Sequence, residues 1–544
     1  MVATDKIFSD FQEHSVAEFF KKNKQMLGFA GKTRSLTTIV HEYVTNSLDA
    51  CEEAGMLPEI TVVIAEIEKN NSYRVRVEDN GPGIPKKHLG KALGMMLAGT
   101  KFHRYAQQRG QQGIGAAGCT MYAQLTTGKP VRVVSHYDKK RIECTISIDF
   151  KTNQPNIETS AEEDTDGSEH GLVVDGEFAD VKYDKSAYGV YEYIKRTAMA
   201  NPHATITFAA PDGENLKFPR SVEEVPPKPK AVQPHPMGLS THDIIDYAHH
   251  DAQSTRISSF LQNSFTRVSS EKVKELQAIA NEVDFSKKPS ELEWAEAEKI
   301  VKAIGKVKWI APATESIVPI GKRQIEKSLG GILKPQFLEV SERSPKIYKG
   351  GIPFVIEVAI AYGGDAGRNS ENGGSGKSGD IIRYANRAPL IFDAAGCALT
   401  QAVKEIDWKR YGIKRFEEEP VTVFVNIASV HVPYTGAGKQ AISDEEEVTA
   451  EIKNTVMEVA RRMQHYLHEI IKEKDRAGRR KVVERYLKQL SIDLADLAEK
   501  GKASELEEKM KKLIENKYPS LMGEGDEEGE NGNGGNGKGE KEER

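Results

Sequence analysis

The sequence is poor in cysteine and has no long apolar run. Its four cysteines lie far apart, with no Cys-x-x-Cys pair among them, so neither a disulfide framework nor a zinc site is predicted. No apolar stretch reaches the ~20 residues of a membrane span, and the N-terminal stretch does not resemble a signal peptide. A reduced, cytoplasmic setting without membrane contact is therefore expected.

Neither positive nor negative charge is in large excess. The chain carries 76 Lys and Arg against 81 Asp and Glu, a formal net charge of −5, so bulk charge does not point to nucleic acid. Any contact with a polyanion would have to come from local patches. The hydrophobic content of 38% is that of a soluble globular chain, and 544 residues predict several domains.

The stretch that ends at Asp79 is the first to indicate a binding site. The alternation from Tyr73 to Val77 predicts a strand, and the turn sequence Asp-Asn-Gly-Pro-Gly follows it. A carboxylate at this place can be held still in a concave wall. Gly81 and Gly83 would let a flat ring approach the backbone. For this motif alone, a surface hairpin with a solvated aspartate is the alternative.

A second motif lies upstream, where apolar residues from Thr37 to Ala50 have helical spacing. Glu42, Asn46 and Asp49 then fall on one face of the helix. A carboxylate one turn from a carboxamide suits a water-activating base beside an oxygen ligand for Mg²⁺. An ordinary polar helix face is the alternative.

The third motif is the glycine-rich run from Arg109 to Gly118, which leads into a helix-compatible segment. Such a loop offers backbone N–H groups to phosphate at a helix N-terminus. The run lacks the Gly-Lys-Ser/Thr ending of a Walker loop. Its Gly-x-Gly-x-x-Gly does not follow a hydrophobic strand, which argues against a Rossmann site.

In this order and spacing, the three motifs resemble the GHKL family of ATPases. Within it, three stretches look like the family of DNA topoisomerase VI B subunits, which are type IIB topoisomerase components: His41 to Ala50, Gly110 to Gly115 and Gln124 to Pro130. The resemblance covers nearly the whole chain. It implies an α+β multidomain fold with a GHKL (Bergerat) ATPase α/β sandwich, a helical helix–two-turns–helix insert and an α/β transducer domain with a long C-terminal helix.

The same resemblance implies a division of the chain, with Pro226 to Pro236 marking one boundary. The N-terminal strap would reach over a partner's ATP site, or alternatively pack on its own domain. The helical insert would bind DNA, or alternatively be a solvated spacer. The expected ranges are 1–30 for the strap, 31–228 for the ATPase domain, 229–310 for the helical insert, 311–470 for the transducer with its stalk helix, 471–520 for a region that docks the topoisomerase VI A subunit, and 521–544 for a disordered, acidic, Gly-rich tail.

The resemblance also assigns roles to individual residues. Glu42 and Lys439 are expected to be catalytic, and Asn46 is expected to bind Mg²⁺. Lys439 follows two glycines in a predicted loop, where sequence alone would leave it a surface lysine. The expected contacts with ATP are Asn46, Asp79, Gly81, Gly83, Thr100, Lys101, Gly110, Gln111, Gln112, Gly113, Ile114, Gly115, Ala116, Ala117, Gly118 and Lys439.

The implied activity is ATP-dependent passage of one DNA duplex through another. ATP would close two B subunits around the duplex, and the A subunit in an A₂B₂ assembly would make the double-strand break. The chain lacks a toprim-like Glu-Gly-Asp followed by Asp-x-Asp, apart from Glu524-Gly525-Asp526 in the predicted tail. A GHKL scaffold of the MutL or chaperone type is the alternative. A histidine kinase is not expected, because the stretch before Glu42 leaves no room for a phosphoacceptor domain.

Four local predictions remain. Ser258 would cap a helix of the insert, and Glu162 to Gly167 would form an exposed acidic turn. Asp475 to Arg480 would break or kink the C-terminal helix. Trp408 to Tyr411 would be a partly buried aromatic pair with solvated basic neighbours, although the family suggests a contact with DNA.

Overall fold

The computed structural model describes residues 15–69, 71–99, 105–110, 113–369, 377–436, 438–498 and 502–517. The predicted ATP contacts Thr100, Lys101, Gln111 and Gln112 lie outside these ranges, as do the first half of the predicted strap and the predicted tail. Within the described ranges, no helix is long and apolar enough to cross a membrane.

Eight strands of the described residues form the first sheet. In chain order they are β1 Glu59–Glu68, β2 Ser72–Asp79, β3 Val131–Tyr137, β4 Lys140–Asp149, β5 Gln154–Asp164, β6 Gly171–Ala179, β7 Thr205–Ala209 and β8 Asn215–Phe218. Across the sheet the order is β5-β4-β3-β6-β2-β1-β7-β8, antiparallel except for the parallel pair β1 and β7. The strand predicted at Tyr73 to Val77 is confirmed as part of β2, with its apolar residues buried.

Among the described residues, five helices belong to this part of the chain: α1 Val16–Lys22, α2 Lys32–Ala54, α3 Lys86–Gly94, α4 Gly115–Thr127 and α5 Val190–Ala200. The predicted helix from Thr37 to Ala50 is confirmed within α2. Its apolar residues, such as Val44 and Leu48, are buried in a core shared with Val75 of β2 and Tyr122 of α4. The hydrophobic face of α2 therefore packs on the sheet, and its polar face remains available for a site.

The described part of the strap packs on its own chain. Ala17 of α1 is fully buried beside Met121 of α4 and Ile148 of β4. The Ser15 side chain caps α1 by accepting a hydrogen bond from the Glu18 backbone N–H at 3.1 Å.

Four helices follow the first sheet: α6 Thr241–His250, α7 Ile257–Ser264, α8 Ser270–Ile279 and α9 Trp294–Ile304. They share one small core that includes Phe260, Leu276 and Ile300. The prediction that Ser258 caps a helix is wrong, because α7 begins one residue earlier and its N-cap is Arg256. The Ser259 hydroxyl, rather than Ser258, accepts a hydrogen bond from the Arg256 N–H.

The second sheet contains β9 Phe337–Glu342, β10 Lys346–Tyr348, β11 Ile352–Tyr362, β14 Asp380–Ala385, β15 Ala388–Pro389 and β16 Val421–Ser429, and β12 Arg368–Asn369 pairs separately with β13 Lys377–Ser378. Nearly every residue of β11 and β16 is buried. Helices α10 Lys322–Leu333 and α11 Ala398–Lys404 pack against this sheet. Trp408 and Tyr411 are buried while Lys409 and Arg410 are exposed, which confirms the aromatic-pair prediction.

Contacts divide the chain into two compact units, Met1–Ala460 and Arg461–Arg544. Helix α12 spans Glu446–Ala498 and helix α13 spans Ala503–Lys517. The prediction of a break between Asp475 and Arg480 is wrong, because α12 is continuous through that stretch. A single glycine, Gly478, costs a helix only ~1 kcal/mol, and its basic and alanine neighbours are good helix formers.

The prediction of an acidic turn from Glu162 to Gly167 is wrong for the first half of that stretch. Glu162 and Asp164 belong to β5, which pairs with β4, and only the residues from Thr165 onward leave the strand. Lys86 Nζ lies 2.5 Å from Glu162 Oε2 and Lys140 Nζ lies 3.6 Å from Glu162 Oε1, so lysines offset the negative charge along this strand.

Candidate functional site

A cavity of about 600 Å³ opens beside α2, within the size range of small-molecule sites. Its wall includes the polar face of α2, the loop after β2, α3, the loop before α4, and two loops that flank the second sheet. The predicted residues that line it are Glu42, Asn46, Asp79, Gly83, Gly110, Gly113, Ile114, Gly115, Ala116, Ala117 and Lys439. Gly81 and Gly118 are outside the lining.

Asp79 ends β2 and is 7% exposed. Its Oδ2 accepts a hydrogen bond from Ser47 Oγ at 2.6 Å, and its Oδ1 accepts from the backbone N–H groups of Gly81 at 2.9 Å and Leu172 at 3.3 Å. Burial raises the pKa of the Asp79 carboxyl, and the bonds from Ser47 and Gly81 oppose that rise. The result is a fixed, desolvated hydrogen-bond acceptor in the cavity wall.

The turn after Asp79 is held by its own side chains. Asn80 Oδ1 accepts from the Glu59 N–H at 2.8 Å, and Asn80 Nδ2 donates to the Leu57 carbonyl at 3.0 Å. Gly83 has a left-handed φ of +69°, and a Cβ there would collide with the carbonyl of His136 on β3. The glycine at 83 is therefore required by close packing of the turn on the sheet.

Glu42 and Asn46 project from α2 into the cavity. Glu42 is half-buried and Asn46 is exposed. A Cβ at Gly115 would collide with the Glu42 carboxylate, so the start of α4 lies directly against it. Burial lowers the pKa of the neighbouring His41; the charge of Glu42 raises it and that of Lys439 lowers it. Glu42 and Lys439 both line this cavity.

The glycine loop meets α4 at the cavity. The helix begins at Gly115 with N-cap Ile114, whose apolar side chain cannot accept a capping hydrogen bond. Gly115, Ala116 and Ala117, the first residues of this 13-residue helix, line the cavity, and the first N–H groups of a helix have no partner within the helix. Gly118 has a different role: a Cβ there would lie 3.3 Å from Leu27 Cδ1, so its lack of a side chain serves packing inside the domain.

Lys439 reaches this cavity from a loop that is distant along the sequence from the glycine loop. Its loop is closed by a bridge between Tyr434 and Ile442, and its backbone adopts a left-handed φ of +50°. Its Nζ donates to the carbonyl of Arg109, at 3.5 Å, just before the glycine loop. The lysine therefore lies beside the glycine loop and lines the cavity.

Sequence reasoning missed several lining residues. Ser47, His88 and Lys91 line the cavity, and Phe392 comes from a loop next to the second sheet. The Glu-x-x-x-Asn spacing did not indicate Ser47, because adjacent residues of a helix point in directions that differ by ~100°. Among the described residues, no group of three or more His, Cys, Asp or Glu side chains could hold a metal.

Two family models match the chain. Residues 31–154 match the histidine kinase-, DNA gyrase B- and HSP90-like ATPases, and residues 312–479 match the topoisomerase VI B subunit transducer. The first of these matches defines the class of protein as one with a GHKL ATPase fold.

Curated relatives narrow the class to a family. The B subunit of type 2 DNA topoisomerase 6 from Methanothermobacter thermautotrophicus is 45% identical over 92% of this chain and 94% of its own length. That of Pyrococcus horikoshii is 43% identical over 95% of this chain and 97% of its own length. The chain belongs to the family of topoisomerase VI B subunits. The solved ATPase region of Saccharomyces cerevisiae topoisomerase II bound to ICRF-187 covers 86% of this chain and 100% of that chain, with a TM-score of 0.39 and 12% identity, too distant to support an inference.

Proposed function

We propose that this chain is the ATP-binding and hydrolysing subunit of a type IIB DNA topoisomerase. ATP binding brings two copies together around a DNA duplex, which passes through a double-strand break made by the A subunit, so that supercoils relax and catenanes separate. One observation carries the proposal: Glu42, Asn46 and Asp79 share one nucleotide-sized cavity with Lys439, a residue of the region that matches the transducer.

In this proposal, four parts of the cavity have separate roles. Asp79 accepts a hydrogen bond from the adenine amino group, and the loop from Gly110 to Ala117 donates backbone N–H groups to the phosphates. Glu42 orients or deprotonates the attacking water. Lys439 offsets negative charge on the γ-phosphate, which suits a flexible ammonium.

The donor set also fits Mg²⁺. Mg²⁺ takes oxygen ligands, keeps several waters and is bound through one or two protein groups together with substrate phosphates. Asn46 supplies a carboxamide oxygen at the exposed rim of the cavity, one helical turn from Glu42. A dedicated cluster of carboxylates is unnecessary for such an ion, and Asn46 is the proposed ligand.

The proposed parts of the gate follow the division expected from the sequence. Residues 31–228 bind ATP, 229–310 contact DNA, and 311–470 transmit the nucleotide state. Residues 471–520 dock the A subunit in an A₂B₂ assembly. In support of the last assignment, α12 carries exposed apolar side chains at helical spacing, which is typical of a surface that a partner covers: Val482, Tyr486, Leu490, Leu494 and Leu497.

The proposal is tested by reconstitution. The chain mixed with its tyrosine-bearing A subunit is expected to relax negatively supercoiled plasmid and to decatenate linked circles with ATP. Either protein alone is expected to do neither. DNA should stimulate ATP hydrolysis by the mixture. If the chain hydrolyses ATP without any response to DNA and the A subunit does not associate with it, a scaffold of the MutL or chaperone type becomes the better assignment.

Asp79→Asn is expected to weaken nucleotide binding by about ten-fold or more, because a hydrogen bond to a charged group is worth ~1.5–3 kcal/mol. The single carboxamide oxygen can still accept from the Gly81 N–H, and the Ser47 hydroxyl can rotate to accept from the carboxamide NH₂, so the fold should persist. That NH₂ group, unlike a carboxylate oxygen, cannot accept a hydrogen bond from the adenine amine. Calorimetric titration with ADP measures the effect. Asp166→Asn, at an exposed turn outside the cavity lining, is the control. Equal affinity of Asp79→Asn and wild type would remove Asp79 from the adenine contact.

A further inference from the structure

Arg109 is the last residue before the glycine loop, and its side chain is 5% exposed. Its guanidinium donates to Asp49 Oδ1 at 2.6 Å and to both carboxylate oxygens of Glu52, at 2.7 and 2.9 Å. It also donates to Asn201 Oδ1 at 2.6 Å. Asp49 and Glu52 both lie on α2, the helix that carries Glu42 and Asn46, so Arg109 joins the start of the loop to the helix of the water-activating group.

The cluster consists of two largely buried ion pairs, in which Arg109 faces Asp49 and Glu52. Burial would raise the pKa of the Glu52 carboxyl, but the charge of Arg109 and a hydrogen bond from His203, at 2.9 Å, hold it well below its usual range. Burial lowers the pKa of His203, which favours a neutral imidazole there. The positive charge that offsets both acidic side chains is therefore chiefly that of Arg109.

The backbone around Arg109 is tied to the rest of the chain as well. Asn386, at the end of β14, donates to the Gln108 carbonyl at 2.8 Å. The Gln107 side chain accepts from the Val318 N–H at 2.6 Å, and the Gln107 N–H donates to the Ser316 carbonyl at 2.9 Å. In contrast, a Cβ at Gly110 would meet nothing described within 4 Å. Arg109 and the two residues before it are therefore each tied to distant parts of the chain, directly before Gly110.

From this geometry we propose that Arg109 is a positioning residue, which fixes the origin of the phosphate-binding loop relative to Glu42. The inference rests on the proposed ATPase function and adds a determinant that lies outside the cavity lining. A misplacement of ~1 Å between reacting groups can cost ~10²-fold in rate. A loop that starts from a displaced anchor would hold the γ-phosphate badly, while the adenine contact at Asp79 would be untouched.

Arg109→Lys tests this inference, because lysine keeps the charge but its compact ammonium cannot replace the planar fork that reaches Asp49, Glu52 and Asn201 together. The measurements are kcat and KM for ATP hydrolysis, and affinities for ADP and for the β,γ-imido ATP analogue. The expected result is a kcat lowered by ~10–10²-fold, a smaller change in KM, and a reduced preference for the analogue over ADP, with ADP affinity retained.

Arg196→Lys is the matched control. Arg196 is similarly buried and also pairs with two carboxylates, Glu192 at 2.7 Å and Asp380 at 3.1 Å, but it lies outside the cavity lining. A purely structural role predicts that both variants lose thermal stability and keep the wild-type kcat and nucleotide preference. That result would overturn the inference.

Asp49→Asn covers the case in which Arg109→Lys does not fold. It removes one charge from the cluster while Glu52 continues to hold Arg109, and a smaller fall in kcat of the same kind is expected. Wild-type kcat and nucleotide preference in this variant would also contradict the inference. If the wild-type chain did not hydrolyse ATP, the proposed function would be wrong. If the wild type hydrolysed ATP and the variants had the same kcat and nucleotide preference, only the positioning role of Arg109 would be wrong.

Discussion

Replacing Glu42 with alanine is expected to lower ATP turnover by ~10²–10⁴-fold while nucleotide binding stays close to the wild-type value. Glu42 lies one turn before Asn46 on α2 and against the start of α4, beside the loop proposed to hold the phosphates. Asp79, which is proposed to contact adenine, keeps its own hydrogen bonds to Ser47 and Gly81. Removing the Glu42 carboxylate should therefore affect the attacking water and spare the adenine contact.

Steady-state hydrolysis and calorimetric titration with ADP measure the two effects separately. Glu42→Gln keeps the shape and should lose turnover almost as severely, since an amide cannot accept the proton. Glu53→Ala, an exposed glutamate on the same helix and outside the cavity lining, is the control. Near-normal hydrolysis by Glu42→Ala would exclude Glu42 as the base.

Lys439→Ala is expected to bind nucleotide but to lose the response to the γ-phosphate. The lysine lies in the region that matches the transducer, and its ammonium reaches the Arg109 carbonyl beside the glycine loop. ADP has no γ-phosphate to hold the loop that carries Lys439, so ATP and ADP must stabilise that loop by different amounts. A charge-assisted contact is worth ~1.5–3 kcal/mol, enough to shift a balanced equilibrium by about ten-fold or more.

Small-angle scattering of the wild type with the β,γ-imido analogue is expected to show a dimer, and scattering with ADP a monomer. Lys439→Ala should give the ADP-type profile with both nucleotides and should support little strand passage when mixed with the A subunit. Lys414→Ala, an exposed lysine outside the cavity lining, should behave as wild type. Identical wild-type profiles with both nucleotides would mean that this loop does not sense the γ-phosphate.

Local patterns predicted the parts of the site that depend on local structure. The helix that carries Glu42 and Asn46 follows from apolar spacing, and the strand that ends at Asp79 follows from alternation, because each periodicity reflects one buried face. The predictions of a helix break and of an acidic turn were wrong because each relied on the preferences of single residues. Gly478 did not interrupt α12 and the acidic run from Glu162 did not form a turn, because neighbouring residues and paired strands outweighed single-residue preferences.

The sequence by itself determined the class of site: a carboxylate at the end of a strand, a Glu-x-x-x-Asn helix and a glycine-rich loop. Only the tertiary structure decided how they are held. Ser47 and the Leu172 N–H orient Asp79, Arg109 ties the loop to α2, and Lys439 arrives from a distant loop. These contacts join residues far apart along the chain, and their free energy depends on burial, which no local sequence pattern encodes.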